Sequence, residues 1–358
     1  MGEKRITISI STIVLTFAVL LLLILLWQLR SLIVVLMIAV VIAATLAPIV
    51  NKAINLGLPR WLSVVLVYLG LIGTLTGFGW LVGPTVVDQI QQLIGKLPDY
   101  LEALRSLLAN FIVRFETNSS EPGIVDRLLD IEGLTAWVIG SGQQLVVRSY
   151  DITKGAIGSV FSLFLALLLS AYMLSGADGL LKDIVNLFPA PWNDRIAQQI
   201  QPVTQRMGGY IQGRILVSSI LGIVITIGLK FLGLSDLAIG LGVIAGFTNL
   251  IPFFGPVLGA IPALIVAIAQ GGLTVVWVFL LFVIIQNLET YVLDPVLVGN
   301  SVKVPPLYQL LAVLGGAQVL GIIGALIVPP WLAGSAVLLE NLYVKPKLLS
   351  EAKQISSN

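Results

Sequence analysis

Long apolar runs separated by short polar stretches set the pattern of this chain. No residue is charged between Arg5 and Arg30, or between Arg30 and Lys52. Five more uncharged runs follow, at Trp61–Val87, Gly155–Ala177, Ile215–Leu229, Leu237–Leu288 and Val304–Leu339. A charge at the centre of a bilayer is costly, so uncharged runs locate membrane spans. A helical span needs about 20 apolar residues. The first four runs fit one helix each. The 215–229 run is short, but Lys230 can snorkel to the headgroups. The last two runs are long enough for more than one helix. The pattern predicts seven or eight spans. It also predicts that the first two helices fold back as a tight hairpin with Arg30 at its tip. The first run is expected to be a retained helix, because it is long and lacks a nearby small-residue cleavage site.

Composition agrees. Of 358 residues, 57% are hydrophobic and 11% are charged, against about a quarter charged in soluble chains. The fold class is therefore all-α, a polytopic helical membrane protein with broken or re-entrant segments and a small helical polar domain. Residues 1–83 hold three membrane helices, and 84–154 form the polar helical domain outside the bilayer. A membrane bundle with broken helices follows at 155–345, and 346–358 is a polar tail. Lys and Arg near the span ends favour eight crossings with both termini inside. In the polar segment Val87, Ile90, Leu93, Ile94, Leu97 and Leu101 fall near helical spacing, and Pro98 breaks or kinks that helix.

Missing residue types exclude chemistry. With no His and no Cys there is no imidazole base, thiolate nucleophile, zinc thiolate or disulfide. No phosphate-binding loop occurs, so no nucleotide-driven pump is expected. The apolar interior offers no protease-like set of residues. A net charge of +2 gives no basic stripe for nucleic acid. No catalytic residue, cofactor or metal is expected, and the chain is not expected to be an enzyme. Its partners are membrane lipid, a small-molecule or cation substrate, and other copies of the chain in a homo-oligomer.

The candidate pathway is the stretch from Asn249 to Pro262. Pro252, Gly255, Pro256, Gly259 and Pro262 interrupt an uncharged run there. Proline frees a carbonyl, and freed backbone groups cannot face lipid. The pieces on either side are short for a full span. The stretch therefore reads as a broken helix or re-entrant hairpin, an arrangement used for substrate and ion sites in transporters, or as a plain kink between packed helices. A second interruption at Pro305-Pro306, Gly315-Gly316 and Gly321 could be the matching half of a repeat. Ionisable residues inside apolar segments are functional candidates by default. Gln286, Asn287, Glu289 and Asp294 cluster at the end of one run. Gln286, Glu289 and Tyr291 can share a broad helical face, and Glu289 is the candidate proton or cation carboxylate. Asp294-Pro295 reads more as a helix terminator than as a site residue. Lys303 is a candidate partner for the acids or an interfacial anchor. The pairs Gly73–Gly77, Gly79–Gly83, Gly209–Gly213, Gly242–Gly246 and Gly255–Gly259 have the spacing of close helix packing.

An ordered set of segments gives these features a family context. They are Leu46-Ala47-Pro48, Gly57-Leu58-Pro59-Arg60, Gly209-Tyr210-Ile211-Gln212-Gly213-Arg214, the 249–262 stretch, Glu289 to Pro295, and Gly315-Gly316 through Gly324 to Pro329. Over nearly its whole length the sequence resembles the autoinducer-2 exporter family, also called PerM permease-like. The resemblance implies an oligomeric, multi-pass transporter of a bacterial inner membrane, and together with the broken stretch it reads as a secondary transporter that exports a small polar solute or cation. A passive oligomeric pore and a membrane scaffold without transport are the competing readings of the residues themselves.

Overall fold

The computed structural model describes residues 10–104, 106, 149–299 and 304–356. Most of the proposed polar domain, and Lys303, lie outside the described residues. The described chain is helical throughout, in the order α1 (Ile10–Gln28), α2 (Arg30–Asn55), α3 (Arg60–Gly95), α4 (Ser149–Ser175), α5 (Ala177–Asn186) and α6 (Trp192–Phe231). Then come α7 (Ala238–Thr248), α8 (Gly255–Gln270), α9 (Thr274–Leu288), α10 (Pro306–Leu339) and α11 (Lys345–Ser356). Wider π-helical turns continue α9 over Glu289–Val298 and α10 over Glu340–Val344.

Among the described residues, five helical stretches are long and apolar enough to cross a membrane: Arg30–Asn55, Arg60–Gly95, Trp192–Phe231, Thr274–Val298 and Pro306–Ala352. A sixth crossing is available if Val160–Ser175 and Ala177–Asn186, bent by 83°, are taken together. Seven or eight were expected. The difference arises in the first run, whose apolar helix counts only over Val14–Gln28, and in the two longest uncharged runs, which fold partly into hairpins.

The first hairpin is α7–α8. Eleven residues of α7 and sixteen of α8 reach about 16 and 24 Å at 1.5 Å per residue. Neither arm matches the ~30 Å hydrocarbon core. Both open ends lie at the same level, since Gln270 Nε2 donates to the Gly233 carbonyl. The two ends of the pair therefore lie side by side. Small residues let it lie on α6: a Cβ on Gly242 would come within 2.7 Å of the Gly222 carbonyl oxygen, and one on Gly246 within 3.2 Å of Gly222 Cα.

The second hairpin is hidden inside α10. Gly321 has φ 65° and ψ −150°, a conformation open essentially to glycine alone. Gly316 and Gly324 would be about 12 Å apart along one straight helix. Instead a Cβ on Gly316 would meet the Gly324 carbonyl oxygen at 2.4 Å and Val328 Cγ2 at 3.0 Å. The chain therefore turns back at Gly321, and both interruptions seen in the sequence are helical turns.

Other expectations change. Backbone hydrogen bonding runs helically through the α1–α2 joint, from Leu29 N–H to the Leu25 carbonyl and from Ile33 N–H to the Leu29 carbonyl, both 2.9 Å. The described side chains of α1 are exposed along its length. The first two helices thus do not fold back on one another, because no tight turn intervenes. Glycines 73, 77, 79 and 83 of α3 face open space, so their spacing serves no close packing among the described residues. The predicted break before Pro98 holds: α3 ends at Gly95 and a new helical segment runs over 97–104.

The main core joins α6, α7, α8 and α9 through Val217, Leu221, Leu229, Leu241, Ala263, Val266 and Val278. Leu93 and Tyr100, beyond the membrane part of α3, also pack against it. A second cluster joins α2, α3 and α4 around Val50, Val64, Tyr68 and Leu174.

Candidate functional site

Arg214 sits where the polar half of α6 meets its apolar half, and it is 5% exposed. A bare guanidinium at that burial is unfavourable. Two carboxylates from the next span compensate it. Arg214 Nη1 lies 3.1 Å from Glu289 Oε1 and 3.3 Å from Asp294 Oδ1. Glu289 is 3% exposed, whereas the Asp294 side chain is 40% exposed.

The π-helical turns explain how both acids reach one cation. In an α-helix, residues five apart point roughly 140° away from each other. A π-helix hydrogen-bonds each residue to the fifth before it and stacks the two. Gly299 N–H donates to the Asp294 carbonyl at 2.6 Å in this way. Pro295, which lacks an N–H, is accommodated inside the same turns.

The tip of the α7–α8 hairpin completes the cluster. Asn249, 3% exposed, donates from Nδ2 to Glu289 Oε1 at 3.1 Å. The tip is tightly wound. Phe253 holds a left-handed φ of 68°, and Thr248 Oγ1 bridges the arms by donating to the Gly255 carbonyl at 3.1 Å. A Cβ on Gly255 would meet Asn249 Cα at 2.4 Å, and one on Gly259 would meet Ala245 Cα at 2.7 Å. Only glycine lets α8 leave so close to Asn249.

A cavity of ≈ 430 Å³ opens beside this cluster, within the usual range for small-molecule sites. Leu221 and Ile225 of α6, Leu264 of α8, and Phe279 and Phe282 of α9 form much of its wall. Its polar groups come from Asn249, Gln286 and Glu289. Several buried polar atoms nearby have no hydrogen-bond partner: Asn249 Oδ1, Arg214 Nε, Tyr210 Oη and Ser218 Oγ.

The sequence candidates separate clearly. Asn249, Gly255, Pro256, Gln286 and Glu289 line the cavity. Pro252 is buried in the tip turn, and Gly259 packs the hairpin arms together. Pro262 lies inside α8, away from the cavity-lining set. Asn287 is exposed and donates to the Val283 carbonyl of its own helix at 2.7 Å, so it is outside the cluster. Tyr291 is 75% exposed, so the face shared by Gln286 and Glu289 does not extend to it. Asp294 does not end the helix but sits within the π-helical turns. Arg214 is the member of the cluster that sequence reasoning missed. It read as one of several basic residues flanking a span. Its position directly before the uncharged 215–229 run was the available signal.

No group of three or more metal-ligating side chains is present among the described residues. The arrangement instead suits a small molecule held between a polar hairpin tip and apolar helix faces.

Comparison with known proteins places this architecture. The AI-2E family transporter profile matches residues 15–343. YrrI of Bacillus subtilis, named as a candidate transport protein, is 30% identical over 308 residues, covering 84% of each chain. YueF of the same organism, named likewise, is 26% identical over 275 residues, covering 76% of this chain and 74% of its own. The candidate permease PerM of Escherichia coli K12 is 27% identical over 282 residues, covering 78% of each chain. The chain belongs to the AI-2E transporter family and is a multi-pass membrane transporter.

Proposed function

We propose that this member of the AI-2E family is a secondary transporter of the bacterial inner membrane, working as a homo-oligomer and moving a small solute or cation out of the cell. The observation that carries the reading is Asn249 at a re-entrant tip, bonded to an ion-paired Glu289 beside a cavity. Re-entrant backbone at membrane depth is tolerated where protein or a wet cavity satisfies it. Transporters place their sites at such interruptions.

Alternating access then amounts to movement of the hairpin against α6 and α9. The contact to be made and broken is Asn249–Glu289. Glu289 is the coupling carboxylate: it exchanges Arg214 and Asn249 for a substrate or a proton. The outward direction follows the family resemblance.

Flux in proteoliposomes, with and without an imposed proton or sodium gradient, tests this. Gradient-dependent, saturable flux that collapses in Glu289→Gln is the expected result. Undiminished coupled flux in that variant removes Glu289 from the mechanism. Unsaturable flux in single-channel steps replaces the transporter by a pore.

A further inference from the structure

The chemistry of the cavity wall narrows the class of ligand, and this step rests on the site proposed above. Three observations bear on it. First, the charged cluster at one end contains one guanidinium and two carboxyl groups, a formal charge of −1 among the described residues. Second, Asn249 lines the cavity, is 3% exposed, and keeps its Oδ1 acceptor without a partner. The unpartnered donors, Arg214 Nε and Tyr210 Oη, belong to residues outside the lining set. The polar end thus carries the Glu289 carboxylate and the Asn249 and Gln286 carboxamides, with Asn249 Oδ1 enclosed behind the wall. Third, the remaining wall is apolar, with Phe253, Phe279 and Phe282 contributing aromatic surface.

An anion meets the wrong charge there. A bare inorganic cation needs a shell of oxygen ligands, and the wall does not supply one. An alkylammonium head satisfies all three observations. It donates N–H to the Glu289 carboxylate and, once the Asn249 carboxamide turns its enclosed Oδ1 towards the cavity, to that oxygen; it also balances the excess negative charge and accepts cation–π stabilisation from phenylalanine faces. Its hydrocarbon body fills the space between Leu221, Ile225 and Leu264.

We propose that the cavity between the α7–α8 hairpin, α6 and α9 binds a small amphiphilic organic cation, a primary amine on an apolar body, with Asn249 and Glu289 receiving the ammonium. The occupant is recognised by its head charge and donors at one end and by its apolar body at the other.

The experiment uses the full-length protein in lipid nanodiscs with radiolabelled 2-phenylethylammonium as probe. Competitors are 2-phenylethanol, 3-phenylpropionate and the N,N,N-trimethyl analogue of the probe. Saturable binding is expected. The unlabelled amine should displace it at least about tenfold better than the alcohol, the acid or the donor-free trimethyl analogue, the loss typical of a missing charge-assisted hydrogen bond. Asn249→Leu should weaken binding by a similar factor. Ala260→Phe, which fills the cavity and leaves the charged cluster intact, should abolish it in a monodisperse preparation. Absence of saturable binding overturns the proposal, as does equal displacement by the acid or unchanged affinity in Ala260→Phe. Amine binding without flux would sink the transport reading and leave this one standing. Coupled flux of another solute by a protein that ignores the amine would do the reverse.

Discussion

Glu289 and Asp294, five residues apart, meet the same nitrogen of Arg214, at 3.1 and 3.3 Å. The relationship exists because the chain widens into π-helical turns at Glu289. It ties the 274–298 span to α6 at the level of the hairpin tip. Glu289 also holds Asn249, so one carboxylate joins three pieces of the core: α6, α9 and the hairpin.

Removing the cation should therefore cost more than removing the ion pair as a whole. Arg214→Met leaves two carboxylates facing each other, one of them buried, and should destabilise the protein by about 3–5 kcal/mol. Adding Glu289→Gln to that variant should recover part of the loss. Thermal unfolding in detergent, followed by tryptophan fluorescence, gives the three values of the double-mutant cycle. Strictly additive losses would show that the pair is not energetically coupled.

Close approach of the hairpin arms makes two glycines irreplaceable. A Cβ at Gly255 or Gly259 meets backbone carbon at 2.4 or 2.7 Å, so the arms must part. Gly255→Ala and Gly259→Ala should each cost about 1–3 kcal/mol, the range for overpacking, and reduce flux. Gly77→Ala, whose Cβ meets nothing within 4 Å, is the matched control. Equal Tm values for the three variants would contradict the packing.

Gln89 holds the foot of the hairpin. Its Oε1 accepts the Gly240 N–H at 2.6 Å. That N–H lies in the first turn of α7, where no carbonyl of the same helix is available. Gln89→Leu should cost about 1–2 kcal/mol, as for a lost cap. Amide hydrogen exchange should quicken at 238–242 and stay unchanged in α2. Unaltered exchange at Gly240 would mean that the contact carries no load.

The re-entrant path has a direct topological test, because the chain contains no native cysteine. Ser235→Cys and Gln270→Cys flank the hairpin at exposed positions. Both should react with a membrane-impermeant maleimide from the same side of the bilayer. Labelling from opposite sides would show that 238–270 crosses the membrane once.

The turn at Gly321 can be tested in the same way as the other glycines, but for a conformational reason. Its φ of 65° with ψ −150° excludes a side chain at a cost of about 1–3 kcal/mol. Gly321→Ala should lower Tm accordingly, while Gly315→Ala, in open space, should not.

Much of this molecule is written in one dimension. Uncharged runs fix which stretches are membrane helices, since a charge in hydrocarbon is penalised wherever the chain folds. Proline and glycine between Asn249 and Pro262 mark the interruption, because they remove a donor or a Cβ regardless of surroundings. Whether that interruption is a kink, a crossing or a returning hairpin depended on what the arms pack against: Gly222 of the preceding helix admits them, and Gln270 beside Gly233 closes the hairpin. Arg214 is the sharper case. By sequence it is one basic residue among several at the end of a span. Only packing shows that it is buried, and only the π-helical winding of 289–298 turns Asp294 through the angle that an α-helix would have denied it. Periodicity assumes one helical pitch; the site is built where the pitch changes.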